Sequence, residues 1–185
     1  MLLLLLLSLL TGPAEYLTHE GGHYLVALAF GARPTLHFNH VELEGSAHWG
    51  PVQNLLFTTA GPAADWVIGM VALIFLARRF TPLALVLAIW VARPIQFLHG
   101  LLGLDLSQYG VSGDLAGTDE AVIGQALGMS TQDVILIELA VAIPLLLLII
   151  FYMPTGCRLV VVAVLTTGVL AGWTAWLVFA SYLLP

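Results

Sequence analysis

The chain has 185 residues, of which 60% are hydrophobic and 9% charged, and its five basic residues are all arginine. With a mean hydropathy of +1.01, it carries too little charge to cover a soluble domain, which excludes that class and leaves a polytopic membrane protein with the lipid bilayer as its solvent. The net charge of −6 excludes a nucleic-acid partner, and the single cysteine, Cys157, excludes an intrachain disulfide or a cysteine metal site. The fold class expected is all-α, with about five transmembrane helices and a short hairpin or strand after the first.

Residues 2–30 make the first predicted span, long enough at about 1.5 Å per residue to cross a core of roughly 30 Å. The leucine run at its start has no positive n-region and continues into the polar motif below, so it reads as the beginning of the span and not as a cleaved signal. Gly12-Pro13 predicts a kink, since proline removes a backbone bond. His19-Glu20-Gly21-Gly22-His23 follows, an H-E-x-x-H pattern. On a helix, residues four apart share a face, so both imidazoles can converge on one zinc ion per chain. Glu20 lies at the edge of that face, placed to take a proton from water rather than to bind the metal. Ionisable residues are costly within a span and point to function there. Glu15, one turn earlier, is a candidate partner for the His19 imidazole. Gly21 and Gly22 are poor helix formers, which suggests a close neighbour.

Gly31-Ala32-Arg33-Pro34 ends this helix. Residues 35–45 then alternate, with Leu36, Phe38, Val41 and Leu43 apolar and one register slip at 39–40, which predicts a strand or hairpin. His37, His40 and His48 lie around it without a strong metal-ligand spacing. An exposed edge there could pair with an extended peptide. The second predicted span, 52–77, carries Ala60-Gly61-Pro62-Ala63-Ala64-Asp65. The third, 82–102, is interrupted by Arg93-Pro94, where the arginine must snorkel, pair with an acid or line a cavity. Residues 103–130 form the one long polar stretch. In it Thr118 reads as an N-cap with Asp119 and Glu120 in the first helical turn. Ser130-Thr131 caps the fourth span, 132–152. The fifth, 158–184, presents Gly168, Gly172 and Ala175 as a small-residue packing face.

Two histidines leave a catalytic zinc site short of its usual third protein ligand. The chain returns to the side of the H-E-x-x-H motif over 103–130, which offers Asp105, Asp114, Asp119 and Glu120. Asp114, set among small residues, is the first choice and Asp119 the alternate, although an acid at a helix N-terminus explains itself without a metal. Glu138 in the fourth span is a further candidate.

With these residues together, the chain resembles the site-2 protease family of intramembrane zinc metalloproteases. The resemblance rests on His19-Glu20-Gly21-Gly22-His23 within a span, on Ala60-Gly61-Pro62-Ala63-Ala64-Asp65, similar to the family's G-P-x-x-N, and on an aspartate two spans later. It covers roughly residues 10–120. It implies a single membrane metalloprotease domain over 1–185, with a catalytic core at about 2–130, additional helices at about 131–185 and no inserted PDZ-like domain. It further implies zinc held by His19, His23 and Asp114, water activated by Glu20, and Gly61, Pro62 and Asp65 positioning a transmembrane protein substrate. Two departures stand out. Asp65 replaces the family asparagine, and Gly113-Asp114-Leu115 replaces its L-D-G. The competing expectations are a membrane metalloprotease of another class with Glu138 as third ligand, and a non-proteolytic metal-binding protein or transporter.

Overall fold

The computed structural model describes residues 1–37, 40–44, 49–93 and 118–182. Its architecture is that of an all-α polytopic membrane protein. Among the described residues, four helical stretches are long and apolar enough to cross a membrane: Leu2–Ala29, Pro51–Arg78, Thr131–Tyr152 and Thr155–Phe179.

The first stretch is two helices, α1 (Leu2–Leu9) and α2 (Thr11–Ala29), broken at Leu10. Pro13 accounts for the break. Its ring lacks the amide that would bond the Leu9 carbonyl four residues back and crowds that carbonyl. A hairpin follows, with β1 (Pro34–Leu36) antiparallel to β2 (Val41–Leu43) and Thr35 opposite Glu42, as the alternation predicts. Helix α3 (Pro51–Arg78) begins with proline in its first turn, where no amide is needed, and continues through Pro62.

Helix α4 (Pro82–Ala88) is capped by Thr81, whose hydroxyl accepts the Ala84 amide, and tightens into a 3₁₀ turn over Ile89–Ala92. Its eleven residues rise only about 16 Å, half a bilayer core. The predicted third span at 82–102 is therefore described only in its first half, and residues 94–102 lie outside the described residues.

Helix α5 (Asp119–Leu127) begins at its predicted N-cap Thr118 and ends at Gly128, which has the positive φ that favours glycine. Ser130 and Asp133 form a reciprocal capping box for α6 (Thr131–Tyr152). Helix α7 (Arg158–Phe179) closes the described chain, followed by a 3₁₀ turn over Ala180–Tyr182, so the fifth predicted span ends as an α-helix a few residues early.

The apolar core lies where α1, α3, α4, α6 and α7 meet, around Leu4, Leu73, Leu85, Trp90, Ile149 and Val169. Glycine sets the α1–α7 crossing. A Cβ on Gly172 would collide with the Leu9 carbonyl, the group that Pro13 leaves without its helical donor, and one on Gly168 would collide with Ser8. Ala175, expected on the same face, is exposed instead. A separate, polar junction lies between α2, α3 and α5.

Candidate metal centre

Helix α2 places His19 and His23 one turn apart, buried at its contact with α3. Gly22 permits that contact, since a Cβ there would strike the Ala60 carbonyl carbon at 2.8 Å. Gly21, by contrast, faces open space, so only one of the two glycines answers to a close neighbour. Opposite the imidazoles stands Gly61. A Cβ on it would lie 2.7 Å from His19 Nε2 and collide with His23 Nε2. The missing side chain of Gly61 is thus part of the space into which both rings point.

The rings are held from behind. His19 Nδ1 donates to Asp65 Oδ2 at 2.7 Å, and His23 Nδ1 donates to the Phe57 carbonyl at 2.7 Å. Both partners accept only, so each imidazole carries a proton on Nδ1 and faces inward with Nε2. This is how metal-binding histidines are commonly oriented, by a carboxylate or a backbone carbonyl.

The third inward group is Asp119, the first residue of α5. Its Oδ2 lies 3.0 Å from His19 Nε2 and 3.5 Å from His23 Nε2, and the two Nε2 atoms are 3.3 Å apart. Burial works against charge on this carboxyl, but the imidazoles of His19 and His23 more than offset it and hold it below its ordinary range. Either a proton shared between Asp119 and an imidazole or a cation among the three atoms is needed to hold them at such distances. Zinc bonds of about 2.0–2.2 Å in a tetrahedron place ligand atoms roughly 3.3–3.6 Å apart, close to the separations found here. His19, His23 and Asp119 therefore form a possible metal-binding triad, the one such group among the described residues.

Glu20 is buried at 7% exposure beside this triad, and among the described residues no hydrogen bond holds its carboxylate. Asp114, the favoured third ligand from the sequence, lies outside the described residues, and the alternate Asp119 supplies the oxygen that meets the histidines. Its helix-terminal setting gave it an ordinary explanation, yet capping by Thr118 is what starts α5 at this point. Glu138 does not join the triad. Its Oε1 accepts from Arg93 Nη1 at 2.7 Å, because a buried guanidinium requires an acid partner.

Asp65 is 0% exposed behind His19, so it meets the imidazole and not a surface open to substrate. It takes the place expected for Glu15, which is buried at 2% exposure with neither carboxylate oxygen hydrogen-bonded. Pro62 is buried within α3 next to Gly61. It removes the amide that would bond the Thr58 carbonyl, one residue from the Phe57 carbonyl that accepts His23.

At the hairpin, His37 Nε2 meets Glu42 Oε2 at 3.0 Å and stacks on His40 at 4.6 Å between ring centroids. His48 lies outside the described residues.

The sequence left Arg93 to snorkel, pair with an acid or line a cavity. The structure gives it three acid partners: Glu138, Glu120 at 3.2 Å from Nη1, and Asp65 at 3.9 Å from Nε. No protein-family model matches the chain, and comparison with curated proteins and with solved structures also found no match.

Proposed function

We propose that this protein is a zinc-dependent intramembrane endopeptidase that hydrolyses a peptide bond in or near a transmembrane segment of a protein substrate. The observation that carries the reading is the convergence of His19 Nε2, His23 Nε2 and Asp119 Oδ2 within 3.0–3.5 Å of one another, beside the buried Glu20. His19, His23 and Asp119 hold the ion, and Asp65 and Phe57 fix the imidazoles that do so. A bound zinc ion supplies Lewis acidity, polarising the scissile carbonyl and making water a nucleophile near neutral pH.

Glu20 takes the proton from the attacking water and returns it to the leaving amine. Its place next to His19 at the edge of the histidine face, with no hydrogen bond to its carboxylate among the described residues, supports this role. Helical peptide bonds have their carbonyls engaged in the i→i−4 ladder, so the substrate must be extended to react. The β1–β2 hairpin offers a sheet edge for that purpose.

The test is zinc content followed by cleavage. Detergent-purified wild-type protein is expected to hold about one zinc per chain, lost in His23→Ala. Glu20→Gln is expected to keep the zinc and lower the cleavage rate of a transmembrane substrate by about 10²–10⁴-fold. Full activity in Glu20→Gln would remove the general-base assignment. A folded wild-type chain that binds no metal would end the protease reading.

A further inference from the structure

We propose that Arg93 is a positioning residue for the metal centre, joining the support of His19 to the support of Asp119 through one buried guanidinium. The inference rests on the metal-centre reading above and extends it to a residue that touches none of the three ligands.

The three ligands come from two distant parts of the chain. His19 and His23 share α2, whereas Asp119 arrives on α5, a hundred residues later. Helix α5 packs on α3 and α6, and its first turn must still be held at the separation a metal requires. Arg93 spans the gap. Its Nη1 lies 3.2 Å from Oε1 of Glu120, the residue next to Asp119, and its Nε lies 3.9 Å from Oδ2 of Asp65, the atom that holds His19. The same Nη1 is anchored on α6 by Glu138 at 2.7 Å. Arg93 is 3% exposed, so these contacts act in a low-dielectric setting that weakens them little.

The backbone makes an independent case. Arg93 has φ 42° and ψ 63°, the one non-glycine positive φ among the described residues. Such a conformation is uncommon for a residue with a side chain and persists where the surroundings over-determine it, often at functional sites. Here it directs the guanidinium from the end of the α4 turn into the cluster of acids. Lysine could supply the charge but not the planar fork that reaches several carboxylates.

The experiment is a cobalt(II) titration of the full chain in detergent, with zinc competition, for wild type, Arg93→Gln, Arg93→Lys and Glu120→Gln. Cobalt's visible bands report coordination number, which a loss of stability alone does not alter. Arg93→Gln is expected to weaken metal affinity by about 10–100-fold, in the range seen when a group supporting a ligand is removed, and to change the bound cobalt spectrum. Arg93→Lys should recover part of the affinity. Glu120→Gln, an isosteric change that keeps the guanidinium in place, should shift affinity in the same direction by less, and it decides the matter if Arg93→Gln does not fold. Wild-type affinity and spectrum in Glu120→Gln and in folded Arg93→Gln would overturn the proposal, as would a lowered thermal midpoint with an unchanged spectrum. A wild-type chain that binds no cobalt would overturn the metal centre itself, and this role with it.

Discussion

The crossing of α1 on α7 and the crossing of α2 on α3 are both built on glycine, yet they enclose opposite chemistry. At the first, Gly168 and Gly172 admit Ser8 and the Leu9 backbone, and Gly12 meets the Trp173 backbone. The space is filled by protein atoms, and the surroundings are apolar. At the second, Gly22 brings the helices together and the room left by Gly61 is taken by two imidazole nitrogens, which face a carboxylate oxygen. A glycine in a span therefore says only that something needs the room. Whether backbone or ligand takes it depends on the residues facing the glycine from other helices.

The sharpest way to break this comparison is at the polar crossing. Asp119→Ala is expected to abolish zinc binding, because two imidazoles alone leave a zinc site short of a ligand, while Glu138→Ala should keep about one zinc per chain. Zinc loss in Glu138→Ala with retention in Asp119→Ala would reverse the ligand assignment. Gly61→Ala should cost on the order of 100-fold in metal affinity by pushing a methyl between the rings, with the helix itself intact by circular dichroism. Asp65→Asn should cost about tenfold, since an amide oxygen still accepts the His19 proton but without the charge. Unchanged zinc competition in Asp65→Asn would show that the aspartate does not hold His19.

At the apolar crossing the expected effect changes kind. Gly172→Ala should lower stability by about 1–3 kcal/mol, because backbone on both sides must part, while zinc stoichiometry stays as in wild type. A thermal midpoint in detergent and a zinc assay on the same sample separate the two. Ala175→Leu, on an exposed position of the same helix, should change stability by no more than about 0.5 kcal/mol. A large loss there would mean that this face is covered in the membrane.

Much of the frame was legible in the residues. Apolar length marked four of the five expected spans, Thr118 and Ser130 marked two helix starts, and alternation marked the hairpin, because these signals are set by hydrogen bonding and burial within a few residues. The pairing of His19 with His23 was legible for the same reason, as helix periodicity alone brings them together. The break after Leu9 is likewise a local consequence of Pro13. Ala175 was misplaced because small residues at helical spacing do not reveal which way the helix is turned.

What the sequence by itself determined, then, is the membrane class, the helical periodicity and the two histidines with their adjacent glutamate. Tertiary structure alone decided that Asp119 meets those histidines, that Asp65 and not Glu15 stands behind His19, and that Glu138 serves Arg93 instead of a metal. Each of these contacts joins residues tens of positions apart on different helices. Every buried acid in such a chain needs a cation, a donor or a proton. The packing of the helices chooses which one it gets.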